Sequence, residues 1–202
     1  MPLWLAADPL VLASGSSARR TLLGAAGVPI EVVPADVDER ALAAGAPSRA
    51  PAGIAALLAR AKASAVARRH PGRLVLGADQ MLALGSEGFA KPADRAAARA
   101  QLRALAGRTH ELHSAIAFVQ DEAMLFERVD MARLTMRAFS DAFLDRYLDD
   151  VGAAATASVG AYQIEGLGIQ LFERIDGDYF TVLGLPLLDV LDFLRRQGCL
   201  LP

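Results

Sequence analysis

The sequence predicts an α/β fold, a twisted mixed β-sheet flanked by helices, as a single domain over 1–202. Strand and helix signals alternate along the chain, with no internal repeat and no low-complexity linker. The first apolar run, Leu10-Val11-Leu12-Ala13, passes through a small-residue turn straight into a helical stretch. A length of 202 residues is also enough to bury one sizeable core.

The elements follow in order. After the opening strand, the turn Ser14-Gly15-Ser16-Ser17-Ala18-Arg19-Arg20 leads into a helix over 19–26, ended by Gly27. A second strand over 30–33 is followed directly by Asp36-Val37-Asp38-Glu39. A loose segment over 45–51 opens a long helix over 53–69, closed by His70-Pro71-Gly72. Leu74-Val75-Leu76-Gly77-Ala78-Asp79 reads as a buried strand with an acid at its carboxyl end. Residues 85–88 form a hairpin turn, and Asp94 caps a helix reaching 106. Strands over 109–119 and 123–138 flank a turn at Gln120-Asp121-Glu122, and Ser140 caps a helix to 148. Strands over 168–175 and 179–183 are expected to pair across Asp176-Gly177. Pro186 begins a closing helix to Arg196, with Gly198 beyond its end.

Composition removes several classes. Lys+Arg 21 against Asp+Glu 23 gives a net charge of −2, leaving no basic surplus for nucleic acid. The hydrophobic fraction of 53% is swollen by alanine, and no apolar run approaches the roughly 18 residues of a membrane span. The start, Met1 to Ala7, lacks a basic region and meets Asp8 and Pro9, so it does not read as a secretory leader. The one cysteine, Cys199, excludes an internal disulfide and suits a reducing cytoplasm.

The chemistry starts at the first turn. A strand, a thin Ser/Gly turn and a helix start present backbone N–H groups and the positive end of a helix dipole, an anion site. Arg19 and Arg20 add forked donors suited to phosphate. Asp79 is the best candidate for a catalytic carboxylate, because ligands of open α/β sheets gather beyond strand carboxyl ends. Its bland alternative is a turn former. Asp38 and Glu39 supply hard oxygens suited to Mg²⁺ or Mn²⁺, or else a solvated loop. Lys91, stiffened by Pro92, offers a point charge to phosphate, whereas Lys62 lies in an alanine-rich helix whose polar face needs no special role. His110 and His113 sit three apart on a strand, facing opposite ways, and read as structural or surface residues. Ser14 and Ser16 lack the partners of a nucleophile, and no P-loop signature is present.

Taken together, these motifs resemble the Maf family of nucleoside triphosphate pyrophosphatases. The resemblance is carried by the stretch Leu12 to Arg20, Asp36-Val37-Asp38-Glu39, Gly77-Ala78-Asp79-Gln80, Lys91-Pro92 and Gly107-Arg108-Thr109-His110. Gly160-Ala161-Tyr162-Gln163-Ile164-Glu165-Gly166 and Gly184-Leu185-Pro186-Leu187 complete it, in the family's order and spacing. The resemblance implies a Maf/ITPase-like fold and hydrolysis of a nucleoside triphosphate to monophosphate and pyrophosphate. It also implies a divalent metal, Mg²⁺ or Mn²⁺, a cytoplasmic setting and a homodimer. By the same resemblance Asp79 activates water, Ser14, Arg19 and Lys91 hold the triphosphate with Lys62 in support, and Glu39 with Asp38 serves the metal. Base preference is implied at Ala18, Gln80 and Glu165: members preferring 7-methyl-GTP carry Trp, Gln and Glu there, and those preferring dTTP and UTP carry Arg, Thr and Gln. Gln80 and Glu165 lean to the methylguanosine type, while Ala18 lacks the aromatic that would stack on a cationic base. Ser17 stands where the family commonly has proline. The stretch Leu12 to Arg19 also looks like the Leu-Ala-x-Gly-x-x-x-Arg opening of nucleotidyltransferases, although Val28-Pro29-Ile30 lacks the usual Pro-Lys pair of that class. A nucleotide-binding regulator of cell division is the non-enzymatic alternative.

Overall fold

The computed structural model describes residues 3–202; of the segment read against a leader, Met1 and Pro2 lie outside the described residues. The strands are β1 (Leu10–Ala13), β2 (Ile30–Val32), β3 (Leu74–Leu84), β4 (Glu87–Phe89), β5 (Thr109–Gln120), β6 (Ala123–Met136) and β7 (Phe172–Asp176). The α-helices are α1 (Ser17–Ala25), α2 (Glu39–Ala44), α3 (Pro51–Ala67), α4 (Arg95–Leu105), α5 (Asp141–Val151), α6 (Tyr179–Val182) and α7 (Leu187–Arg196). Short 3₁₀ turns occupy Gly152–Thr156, Val159–Ala161 and Leu167–Leu171. The strands hydrogen-bond in the order β2-β1-β3-β5-β6-β7, with β4 paired to β3. The sheet is mixed: β1 runs parallel to β2 and β3, while the β3–β4 and β6–β7 pairs are antiparallel. Among the described residues, no helix is long and apolar enough to cross a membrane.

Contacts divide the chain into two compact units. The first holds the residues up to Gln80 with His113–Asp130 and Asp178–Pro202. Its core joins Leu10, Leu12, Leu76, Ala78, Ile116 and Phe118 of the strands to Val190, Phe193 and Leu194 of α7. These strand positions alternate in sequence, so one face of the sheet is apolar, and the rings of Phe118 and Phe193 stack at 4.2 Å. The second unit holds Met81–Leu112 and Met131–Gly177. There α4 and α5 meet through Arg99, whose guanidinium bonds both oxygens of Asp145 at 2.7 and 3.2 Å.

The caps read from sequence are formed: Asp94 accepts from Ala97 N at 2.8 Å and Ser140 from Phe143 N at 3.2 Å. Two expectations are corrected. The third strand does not end at Asp79 but continues to Leu84, because residues 82–84 pair with 87–89 across a two-residue turn at Gly85. The hairpin across Asp176-Gly177 does not exist. Residues 172–176 pair with β6, and a Cβ on Gly177 would lie 2.7 Å from that of Ala132, so this glycine serves close approach. Asp178 then accepts from Thr181 N at 2.8 Å and starts α6 where a strand was expected.

Candidate active site

The first unit concentrates its buried charges around β3. Parallel pairing of β1 with β3 stops at Ala13 opposite Gly77, so Asp79 stands two residues past the last rung although its own strand runs on. Gly77 explains what faces it. A Cβ there would lie 2.2 Å from the carbonyl oxygen of Ala59 and 2.7 Å from Ala63 N, so α3 lies directly against the strand. Residues 77 and 79 share a face by strand periodicity, and Lys62 precedes Ala63 on the helix. The outcome is an ion pair of 2.6 Å between Lys62 Nζ and Asp79 Oδ1, both side chains nearly removed from solvent. Lys62 Nζ also meets Glu39 Oε1 at 2.8 Å, and the Glu39 carboxylate is open to solvent.

Burial pushes the Asp79 carboxyl above its ordinary range; Lys62 and then Arg19 oppose the shift, while the negative charge of Glu39 adds to it. Arg19 is itself buried. Its Nε donates to Gly184 O at 2.8 Å, and its Nη1 to Ala78 O at 2.8 Å and Ser14 Oγ at 2.9 Å. Two of its three nitrogens thus hold the scaffold together, with no hydrogen bond from Nη2 among the described residues. Burial lowers the Arg19 pKa, with Asp79 and Glu39 opposing, and the group stays a cation. Ser16 caps α1, its Oγ accepting from Arg19 N at 3.4 Å. Ala18 is half-buried on the first turn of that helix.

Gln80 points away from Asp79 and is tied down at one end. Its Nε2 donates towards Ser114 Oγ at 2.9 Å, Val182 O at 3.0 Å and Thr181 O at 3.1 Å. Two of these are carbonyls, so chemistry fixes the nitrogen inward and leaves Oε1 as an acceptor. Ser114, which donates to Thr181 O at 2.8 Å, was missed in the sequence. The signal was there: one hydroxyl at an even position among Leu112, Ile116 and Phe118, all buried.

Asp38 turns away from the cluster and caps α2, accepting from Ala41 N at 2.9 Å. Among the described residues, no three His, Cys, Asp or Glu side chains converge on a point. Glu39 and Asp79 meet on Lys62 Nζ, at 2.8 and 2.6 Å. Two carboxylates are the number Mg²⁺ takes when its other ligands come from phosphate and water, and here Lys62 Nζ stands between them. His110 lies buried on β5 and shares a 2.7 Å hydrogen bond with Tyr162, a structural setting as expected. Ser14, Arg19, Glu39, Lys62, Asp79 and Gln80 therefore all lie in the first unit. Lys91, exposed behind β4, and Glu165, exposed on the turn before Leu167, lie in the second.

A family model described as Maf-like protein matches residues 9–197. The chain belongs to the Maf family. Its Maf relatives include a "nucleoside triphosphate pyrophosphatase" of Rhodopseudomonas palustris (strain ATCC BAA-98 / CGA009), 61% identical over 99% of this chain and 99% of that one. A "7-methyl-GTP pyrophosphatase" of Mesorhizobium japonicum is 54% identical over 96% of this chain and 98% of that one. Among solved structures, the HAM1 protein from Coxiella burnetii is similar at 18% identity and a TM-score of 0.41, over 63% of this chain and 72% of that chain.

Proposed function

We propose that this chain hydrolyses nucleoside triphosphates to nucleoside monophosphate and pyrophosphate. The observation that carries this is the buried Asp79 carboxylate held by Lys62 beside the Ser14–Arg19 turn. Asp79 accepts a proton from water as the water oxygen attacks the α-phosphorus; the bond from that phosphorus to the bridging oxygen breaks and pyrophosphate leaves. Ser14, Nη2 of Arg19 and Lys62 offset the charge of the polyphosphate. Glu39 and Asp79 would hold a divalent ion, Mg²⁺ or Mn²⁺, which supplies charge neutralisation on the phosphate oxygens. Asp38, spent as a helix cap, is left out of that set. The roles given to Lys91 as a triphosphate contact and Glu165 as a base reader rest on the family resemblance and on their exposure.

The proposed base is an N7-methylated guanine. Gln80 presents only its carbonyl, and Glu165 is an exposed carboxylate, so both accept. Guanine offers N1–H and N2–H donors, and methylation adds a positive charge that a carboxylate favours. The name of the Mesorhizobium relative supports the same base.

Turnover of 7-methyl-GTP, GTP, dTTP, UTP and CTP with Mg²⁺, read as pyrophosphate release, tests this reading. The highest kcat/KM is expected for 7-methyl-GTP; a clear win for dTTP and UTP sinks the base assignment. Asp79→Asn is expected to cut turnover by about 10²–10⁴-fold while nucleotide binding survives. Undiminished turnover removes Asp79 from the mechanism.

A further inference from the structure

The motifs Gly107-Arg108-Thr109-His110 and Gly160-Ala161-Tyr162 take no part in the chemistry above, yet they meet inside the second unit. Gly160 and Ala161 are both left-handed, with φ of 81° and 61°. For alanine that conformation is unfavourable and persists only where the surroundings impose it. Here four side chains do so. Gly160 N donates to Gln101 Oε1 at 3.2 Å, and Tyr147 Oη donates to Ala161 O at 3.1 Å. Ser158 Oγ donates to Tyr162 O at 2.6 Å, and Tyr162 Oη shares its 2.7 Å hydrogen bond with His110 Nε2. The Tyr162 ring stands edge-on to Phe172 at 4.8 Å, and His110 is fully buried.

What this clamp anchors is the next few residues. Gly166 N bonds back to Gln163 O at 3.2 Å, and a Cβ on Gly168 would lie 2.5 Å from that same oxygen. The chain therefore folds tightly on itself over 163–168 and projects Glu165 from the tip, exposed. The strained, tied segment lies immediately before the exposed carboxylate, and strain of this kind gathers at ligand-binding elements.

We propose that His110 and Tyr162 are positioning residues that hold the 163–166 turn in the conformation through which Glu165 reads the base, an inference resting on the role given to Glu165 above. Neither touches the nucleotide. They act by removing alternative orientations of the turn, so their effect falls on base selectivity and not on phosphate chemistry.

The test compares kcat/KM for 7-methyl-GTP and UTP in the full chain, in Y162F, in E165Q and in the double variant. Inhibition by tripolyphosphate serves as a base-free probe. Y162F keeps the ring and the Phe172 contact and loses only the hydroxyl. It should lower the 7-methyl-GTP/UTP ratio about fivefold, the worth of one hydrogen bond, through KM, with kcat and tripolyphosphate inhibition unchanged. The double variant should be no less selective than E165Q alone. H110L should match Y162F, and H110Q, whose amide can still meet the tyrosine hydroxyl, should restore the ratio. An unchanged ratio in Y162F alongside a loss in E165Q overturns the clamp and leaves the reading of Glu165 standing. Losses that multiply in the double variant also overturn it, as does an equal fall on every nucleotide and on tripolyphosphate. A ratio unmoved by E165Q sinks the base reading, and this proposal with it.

Discussion

Lys62 governs the charge of Asp79, since it is the largest influence set against burial. Replacing it with methionine leaves burial and Glu39 to act against Arg19 alone, so the Asp79 carboxyl should climb further. Glu39→Gln removes an influence in the other sense and should bring it down. Carboxyl NMR titration of the metal-free protein reads both, and movement in the same direction would dismiss this account of the site. The residue scale also shows what spacing could not. Arg19 was legible as a cation at a strand–turn–helix start, but most of its donors are spent on Gly184, Ala78 and Ser14. Whether a buried guanidinium faces ligand or scaffold depends on carbonyls that arrive from distant segments, and no local pattern records them.

At the scale of elements, the meeting of α3 with β3 decides the site. It depends on a glycine, because a methyl group at position 77 would overlap the backbone of Ala59 and Ala63. Gly77→Ala should force the helix off the strand, cost about 1–3 kcal/mol and lower the thermal midpoint. It should also lengthen the Lys62–Asp79 pair. Unfolding by heat or urea measures the first effect; wild-type stability would show that the helix yields freely. Elements with local signals were legible: the strand–turn–helix at the start, the caps at Asp94 and Ser140, and the closing helix after Pro186. Asp176-Gly177 misled because its glycine answers a side chain on β6 rather than a turn, a tertiary demand that looks identical in sequence.

Across the whole molecule, pH acts on folding as well as on chemistry. His110 is buried and neutral, its pKa pulled down from 6.5 to about 4 by desolvation. The unfolded chain therefore binds this proton first. The stability that neutral His110 contributes is complete above pH 6.5 and drains away as the pH falls to about 4. At about 1.4 kcal/mol per unit, that amounts to roughly 3 kcal/mol. Asp79, shifted upward, has the opposite sign, so wild type must be compared with His110→Gln. The variant's stability should fall less steeply over this window in urea titrations; parallel curves would mean that another group carries the acid loss. The sequence by itself determined the α/β class, the opening strand–turn–helix, the acid at position 79 and the Maf motifs, because period, capping and motif are written in consecutive residues. Only the tertiary structure decided that Lys62 serves two carboxylates, that Gln80 keeps only an acceptor and that His110 clamps Tyr162. Those outcomes depend on which buried groups must satisfy one another, and burial is a property of the folded chain.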